Sequence, residues 1–137
     1  MRKILMCLTI ALLSVKLMAQ KPFKASLYCK EAELSLVIDL YEESINVPGM
    51  EMFGPMHGFL KGNIYGIWSI TSAKIINEQS AVIRLSNDQG SETQEVELTI
   101  QSNGKYNFEQ VGGVAIKKIV GRKLEKIPKS LTFERKE

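Results

Sequence analysis

The only histidine of this 137-residue chain, His57, closes a run in which three methionines fall within eight residues: Met50, Met52 and Met56. The run reads Pro48-Gly49-Met50-Glu51-Met52-Phe53-Gly54-Pro55-Met56-His57. Thioether and imidazole are donors that suit a soft ion such as Cu(I) or Ag(I). Met50, Met52 and His57 are therefore the candidate metal ligands. A plainer reading of the same residues is apolar. Methionine is flexible and fills irregular gaps, so Met50, Met52, Phe53 and Met56, together with the sole tryptophan Trp68, are candidates for binding a small apolar ligand or a partner protein. Pro48, Gly49, Gly54 and Pro55 hold the run out of regular structure on either reading.

Other chemistry is poorly supplied. A Cys–His nucleophilic pair would have to join Cys29 to His57, and neither lies in a supporting motif. A serine hydrolase would need that same histidine beside a nucleophile elbow, which is lacking. Zinc sites draw on several Cys and His ligands, and these are too few. Glu42/Glu43 and Glu95/Glu97 read as solvated turn and strand residues rather than a catalytic carboxylate pair. No phosphate-cradling glycine loop is found. The expectation is a non-enzymatic protein with no cofactor.

Two short patterns resemble known families. Met50-x-Met52 with His57 and Trp68 is similar to the ligand set of periplasmic copper chaperones, and that resemblance implies soft-metal binding. In that family the histidine precedes the methionine pair, whereas here it follows. Gly66-Ile67-Trp68 resembles the Gly-x-Trp signature of lipocalin-like barrels. That signature belongs near the start of the lipocalin fold, and too little sequence follows it here for a full eight-stranded lipocalin.

The setting comes from the first residues. Arg2 and Lys3 precede an uncharged apolar run, Ile4 to Leu13, and Leu17-Met18-Ala19 ends on a small residue. This is the pattern of a cleavable secretory signal peptide over 1–19. Lys16 ends the apolar run well short of the roughly 20 residues of a membrane span, so no stable membrane anchor is expected. Cys7 sits inside the apolar run, where a lipoprotein acceptor would not. Residues 20–137 then form a single β-rich domain, periplasmic or extracellular. Removing the leader takes away three basic residues and no acid, leaving fifteen of each sign and no net charge. A nucleic-acid partner is not expected from such a balance. Cys29 becomes the only cysteine, and its place at the end of the alternating Ala25, Leu27, Cys29 favours burial.

The elements that must position the candidate residues read mostly as strands. Leu34, Leu36, Ile38 and Leu40 share one face, while Glu33, Ser35 and Asp39 take the wet one, with Val37 among them. Ala81, Ile83 and Leu85 repeat the pattern, as do Val96, Leu98 and Ile100 against Glu95, Glu97, Thr99 and Gln101. Asn103-Gly104 marks a hairpin to Tyr106 and Phe108. Gly62-Asn63, Asn77–Ser80 and Asn87–Gly90 supply further turns. Residues 56–109 therefore predict an antiparallel meander, and the whole a mostly β fold, a small antiparallel barrel or sandwich. Val114–Ile127 is the exception. Ile116, Ile119, Val120, Leu124 and Ile127 recur at three and four, with lysines mostly on the other side, which favours one short C-terminal amphipathic helix. Gly121 would cost that helix about 1 kcal/mol, and the valines and isoleucines would also suit strands.

Charge is segregated. Residues 30–110 hold five basic and twelve acidic residues, and 111–137 hold eight basic and three acidic. The bland reading is a basic face docked beside acidic strands. The sharper one is a patch for an acidic partner or an anionic glycan, sensitive to salt. Together these features predict an exported, non-catalytic binding or interaction protein, with a soft-metal carrier as the alternative.

Overall fold

Buried side chains alternate with wetter ones along Leu34–Ile38, Ser80–Ser86 and Thr93–Thr99, and this pleat decides the architecture. In the computed structural model, which describes residues 21–136, the strands are β1 Lys24–Cys29, β2 Leu34–Asp39, β3 Gly58–Gly62, β4 Trp68–Ile75, β5 Ser80–Asn87, β6 Thr93–Ile100, β7 Tyr106–Gly113, β8 Lys117–Val120, β9 Lys123–Lys126 and β10 Ser130–Arg135. The leader expected over 1–19 lies outside the described residues. Eight strands close a barrel in the order β1-β10-β7-β6-β5-β4-β3-β2, every neighbouring pair antiparallel. The meander over 56–109 is β3 to β7 as expected. β4 is one strand with a register shift between Ile70 and Ser72, so Ile70 and Lys74 belong to the same strand. No helix among the described residues is long and apolar enough to cross a membrane.

The helix expected within Val114–Ile127 is instead a hairpin. β8 and β9 pair from Lys117↔Lys126 to Val120↔Lys123, forming a two-stranded sheet of their own. Gly121-Arg122 is the turn. Gly121 takes φ +64° and Arg122 does not share that sign, the pattern of a two-residue turn with glycine first. Ile116 and Ile127, which flank the hairpin, are buried in the barrel core, and Ile127 N–H donates to the Ile116 carbonyl at 2.9 Å. The apolar spacing of three and four thus came from two buried residues at the base and three exposed ones towards the tip.

Packing fills the barrel. Phe23, Leu27, Leu34, Leu36, Leu60, Ile70, Leu85, Val96, Leu98 and Phe133 all reach 0% exposure. A side chain with no accessible area has no water-sized space against it, so this core is solid where these residues meet. Eight strands make a barrel just wide enough for its own side chains or for one small ligand, and here large residues take the space. Phe108 and Phe133 pack with ring centres 5.5 Å apart.

Candidate functional site

The methionine run lies in the longest connection of the barrel, residues 40–57 between β2 and β3. Its two limbs are tied together by an isolated antiparallel bridge, Ile45 to Met56, with N–H to carbonyl distances of 3.0 and 2.8 Å. Val47 is fully buried and pins the outward limb. Past it the chain turns back through a single 3-10 turn, Glu51–Phe53, closed by Phe53 N–H to the Met50 carbonyl at 3.0 Å. Glu51 Oε1 accepts from Gly49 N–H at 3.2 Å. A loop with joined ends and its own hydrogen bonds is a compact presenting element.

The loop sorts its apolar side chains by exposure. Met50 and Met56 are half-buried. Met52 is 81% exposed and Phe53 64%, the most exposed of the large hydrophobic side chains described. Met52 and Phe53 therefore form a tip held out from the barrel end.

The foot of the loop is a polar clamp that the alternation argument missed. Asp39 ends β2 and was expected on its wet face, yet it is only 1% exposed. Its carboxylate accepts from Ser44 Oγ at 2.5 Å and from the N–H groups of Tyr41 and Glu42 at 3.2 Å, with Lys24 Nζ 3.9 Å away. Burial alone would raise this carboxyl's pKa. The Ser44 hydroxyl, the two backbone donors and Lys24 outweigh burial and hold it below its ordinary value. The signal available in the sequence was an aspartate at a strand end followed by Leu-Tyr-Glu-Glu-Ser, whose serine and backbone donors can close a turn on the carboxylate.

His57 is set by the same residue. Its Nδ1 lies 3.1 Å from the Asp39 carbonyl oxygen, which can only accept, so Nδ1 carries the proton. In the neutral ring Nε2 is then the basic nitrogen. Asp39 N–H donates back to the His57 carbonyl at 2.8 Å.

Trp68 is not gathered into this site. Leu60, not His57, faces Trp68 across the β3–β4 ladder, so three residues of strand, roughly 10 Å, separate their levels. The indole is 3% exposed, in the core. Its edge lines a cleft of about 120 Å³ at the other end of the barrel, beside Tyr65, Asp88, Glu92, Lys117 and Leu124. Nor do Cys29 and His57 form a pair. Cys29 is buried opposite Leu34, which faces Gly62, and His57 lies five residues, roughly 16 Å, along β3 from that level. Among the described residues no three His, Cys, Asp or Glu side chains come together as a metal cluster. Comparison of the chain with protein families, characterised proteins and solved structures finds no match.

Proposed function

We propose that this is an exported, non-catalytic binding protein whose contact surface is the Met52–Phe53 tip. One observation carries the reading: two large apolar side chains stand 81% and 64% exposed on a loop that is itself tied by backbone hydrogen bonds and anchored by Val47. An ordered loop presents such residues at lower entropic cost on binding than a floppy one. Aromatic and methionine side chains are also enriched where protein surfaces meet. The solid core argues for binding on the outside rather than storage within.

Site-specific photocrosslinking tests this. A benzoylphenylalanine at position 53 is expected to give a discrete covalent adduct in cells that export the protein. The same group at position 97, on the exposed outer face of β6, is the control. Identical adducts from both positions, or none from position 53, would overturn the reading.

A soft-metal site is the second reading, and the His57 geometry favours it. Metal-bound imidazoles are commonly oriented by donating their other N–H to a backbone carbonyl, as Nδ1 does here to Asp39. Met50 and Met52 would then supply thioethers to a Cu(I) or Ag(I) ion beside Nε2. Titration with Ag(I) is expected to show a site weakened at least tenfold by M50L/M52L together. Equal affinity in that variant would end this reading.

A further inference from the structure

We propose that the β8–β9 hairpin is a docking tip for an anionic lipid surface. In an up-and-down barrel the β2–β3 loop and the β7-to-β10 connection leave from opposite ends, so this inference is independent of the methionine loop. Apolar side chains stand out on both faces of the hairpin. Ile119 and Leu124 are cross-strand partners, 56% and 52% exposed. Val120, 43% exposed and adjacent to the turn, points to the opposite face. Tyr65, also exposed, donates its N–H to the Lys117 carbonyl at the hairpin base at 2.7 Å.

That distribution selects the occupant. A groove on a folded partner receives one face of a ribbon and leaves the other in water. A tip that is apolar on both faces matches immersion in the boundary between headgroups and acyl chains. Charge points the same way. Lys117, Lys118, Arg122, Lys123 and Lys126 lie on the hairpin and Lys129 just after it, and Glu125 is the only acid over residues 117–129. Their long aliphatic stems let the charged ends reach headgroups while the tip goes deeper. The described barrel outside 117–129 carries four more acids than bases. An anionic surface therefore attracts the hairpin more than it does the rest of the barrel. A polyanionic protein or glycan would answer the charge but would leave Ile119, Val120 and Leu124 in water.

Two barrel contacts and one bond across the hairpin base keep the device in place without depending on its tip. Val114 N–H donates to the Thr93 carbonyl, Gln94 Nε2 donates to the Val114 carbonyl, and Ile127 N–H donates to Ile116. Lys117–Lys126 can then be replaced by an Asn-Gly turn joining Ile116 to Ile127 while the core plugs stay.

Vesicle sedimentation is the test, using the chain from Gln20 onward, which contains every barrel strand. Vesicles of phosphatidylglycerol mixed with phosphatidylcholine are compared with pure phosphatidylcholine. Binding is expected on the anionic vesicles, at least about tenfold tighter than on the neutral ones, and weaker as salt rises. I119S/L124S, which alters only exposed side chains, is expected to weaken it at least about tenfold. The Asn-Gly replacement is expected to abolish it with barrel circular dichroism retained. An Ile119→Trp variant should show a blue shift in emission on anionic vesicles alone. The proposal is overturned by no sedimentation, by equal binding to both vesicles, or by an I119S/L124S variant that binds like the parent. Tighter binding to polyglutamate or heparin that survives I119S/L124S would instead assign the hairpin to a polyanion. Should the replacement variant not fold, the point variants decide.

Discussion

Asp39 is the residue on which the loop end of the barrel turns. One carboxylate, nearly free of water, takes three short-range donors and faces one lysine, while its backbone carbonyl positions His57. An acidic group held below its ordinary value binds protons less readily in the native state than in the unfolded chain. Its contribution is therefore complete above the unfolded value, near 3.8, and is lost as pH falls through the lower native value. Asp39→Asn is expected to cost about 1–3 kcal/mol at pH 7, because buried donors lose a charged acceptor. The gap between the variant and the parent should narrow as the medium is acidified below about pH 4. Urea midpoints of both proteins at neutral and acid pH check this. A gap that does not change with pH would mean the carboxylate charge contributes nothing to the clamp.

At the scale of elements, what was legible follows from which residues alternate without interruption. In β2, β5 and β6 apolar residues recur at every second position, with Val37 and Val82 the only apolar residues between them, and all three strands form with that face inward. Asn103-Gly104 marks the expected hairpin. Only Gly104 has positive φ, +84°, and its N–H donates to the Gln101 carbonyl while Asn103 Oδ1 accepts from Lys105 N–H. That is a three-residue loop with the glycine as the left-handed residue. The β8–β9 hairpin was not legible because spacing arguments count apolar residues as if all were buried. Ile119, Val120 and Leu124 are exposed, so their positions carry no information about a core-facing stripe. Gly121, read as a cost within a helix, was the turn residue. The candidate site divides in the same way. Proline and glycine announced that residues 48–55 form a loop, but nothing local to the sequence separates the exposed Met52 and Phe53 from the half-buried Met50 and Met56. Trp68 sits where the barrel buries it, and only strand pairing reveals that.

Closure of the whole molecule rests on a short seam. β1 meets β10 through Leu27↔Arg135 and Tyr28↔Glu134, extended by Lys136 N–H to the Ser26 carbonyl at 2.9 Å. The chain compensates just before β1. The Pro22 carbonyl accepts from Tyr106 Oη and from Arg135 Nη2, so β7 and β10 both hold the entering strand. Phe23 is then fully buried, with its N–H donating to Tyr41 Oη at 3.2 Å. Burial pushes the Tyr106 phenol above its ordinary pKa, partly opposed by the neighbouring Arg135 guanidinium. A group whose native pKa is raised contributes stability that is fully present below the unfolded value, near 10, and is lost as pH rises through the native one. The seam thus has an alkaline limit. Tyr106→Phe is expected to cost about 1 kcal/mol at pH 7 by removing a donor to Pro22, and to flatten the loss of stability above about pH 10. Phe23→Ala, which empties a filled site without touching that phenol, is expected to cost about 3–5 kcal/mol and leave the alkaline loss unchanged. Urea midpoints of the three proteins at pH 7 and above about pH 10 separate the two effects. An unchanged alkaline slope in Tyr106→Phe would show that the protonated phenol does not hold the seam. Closure would then rest on Phe23 burial and the β1–β10 ladder alone.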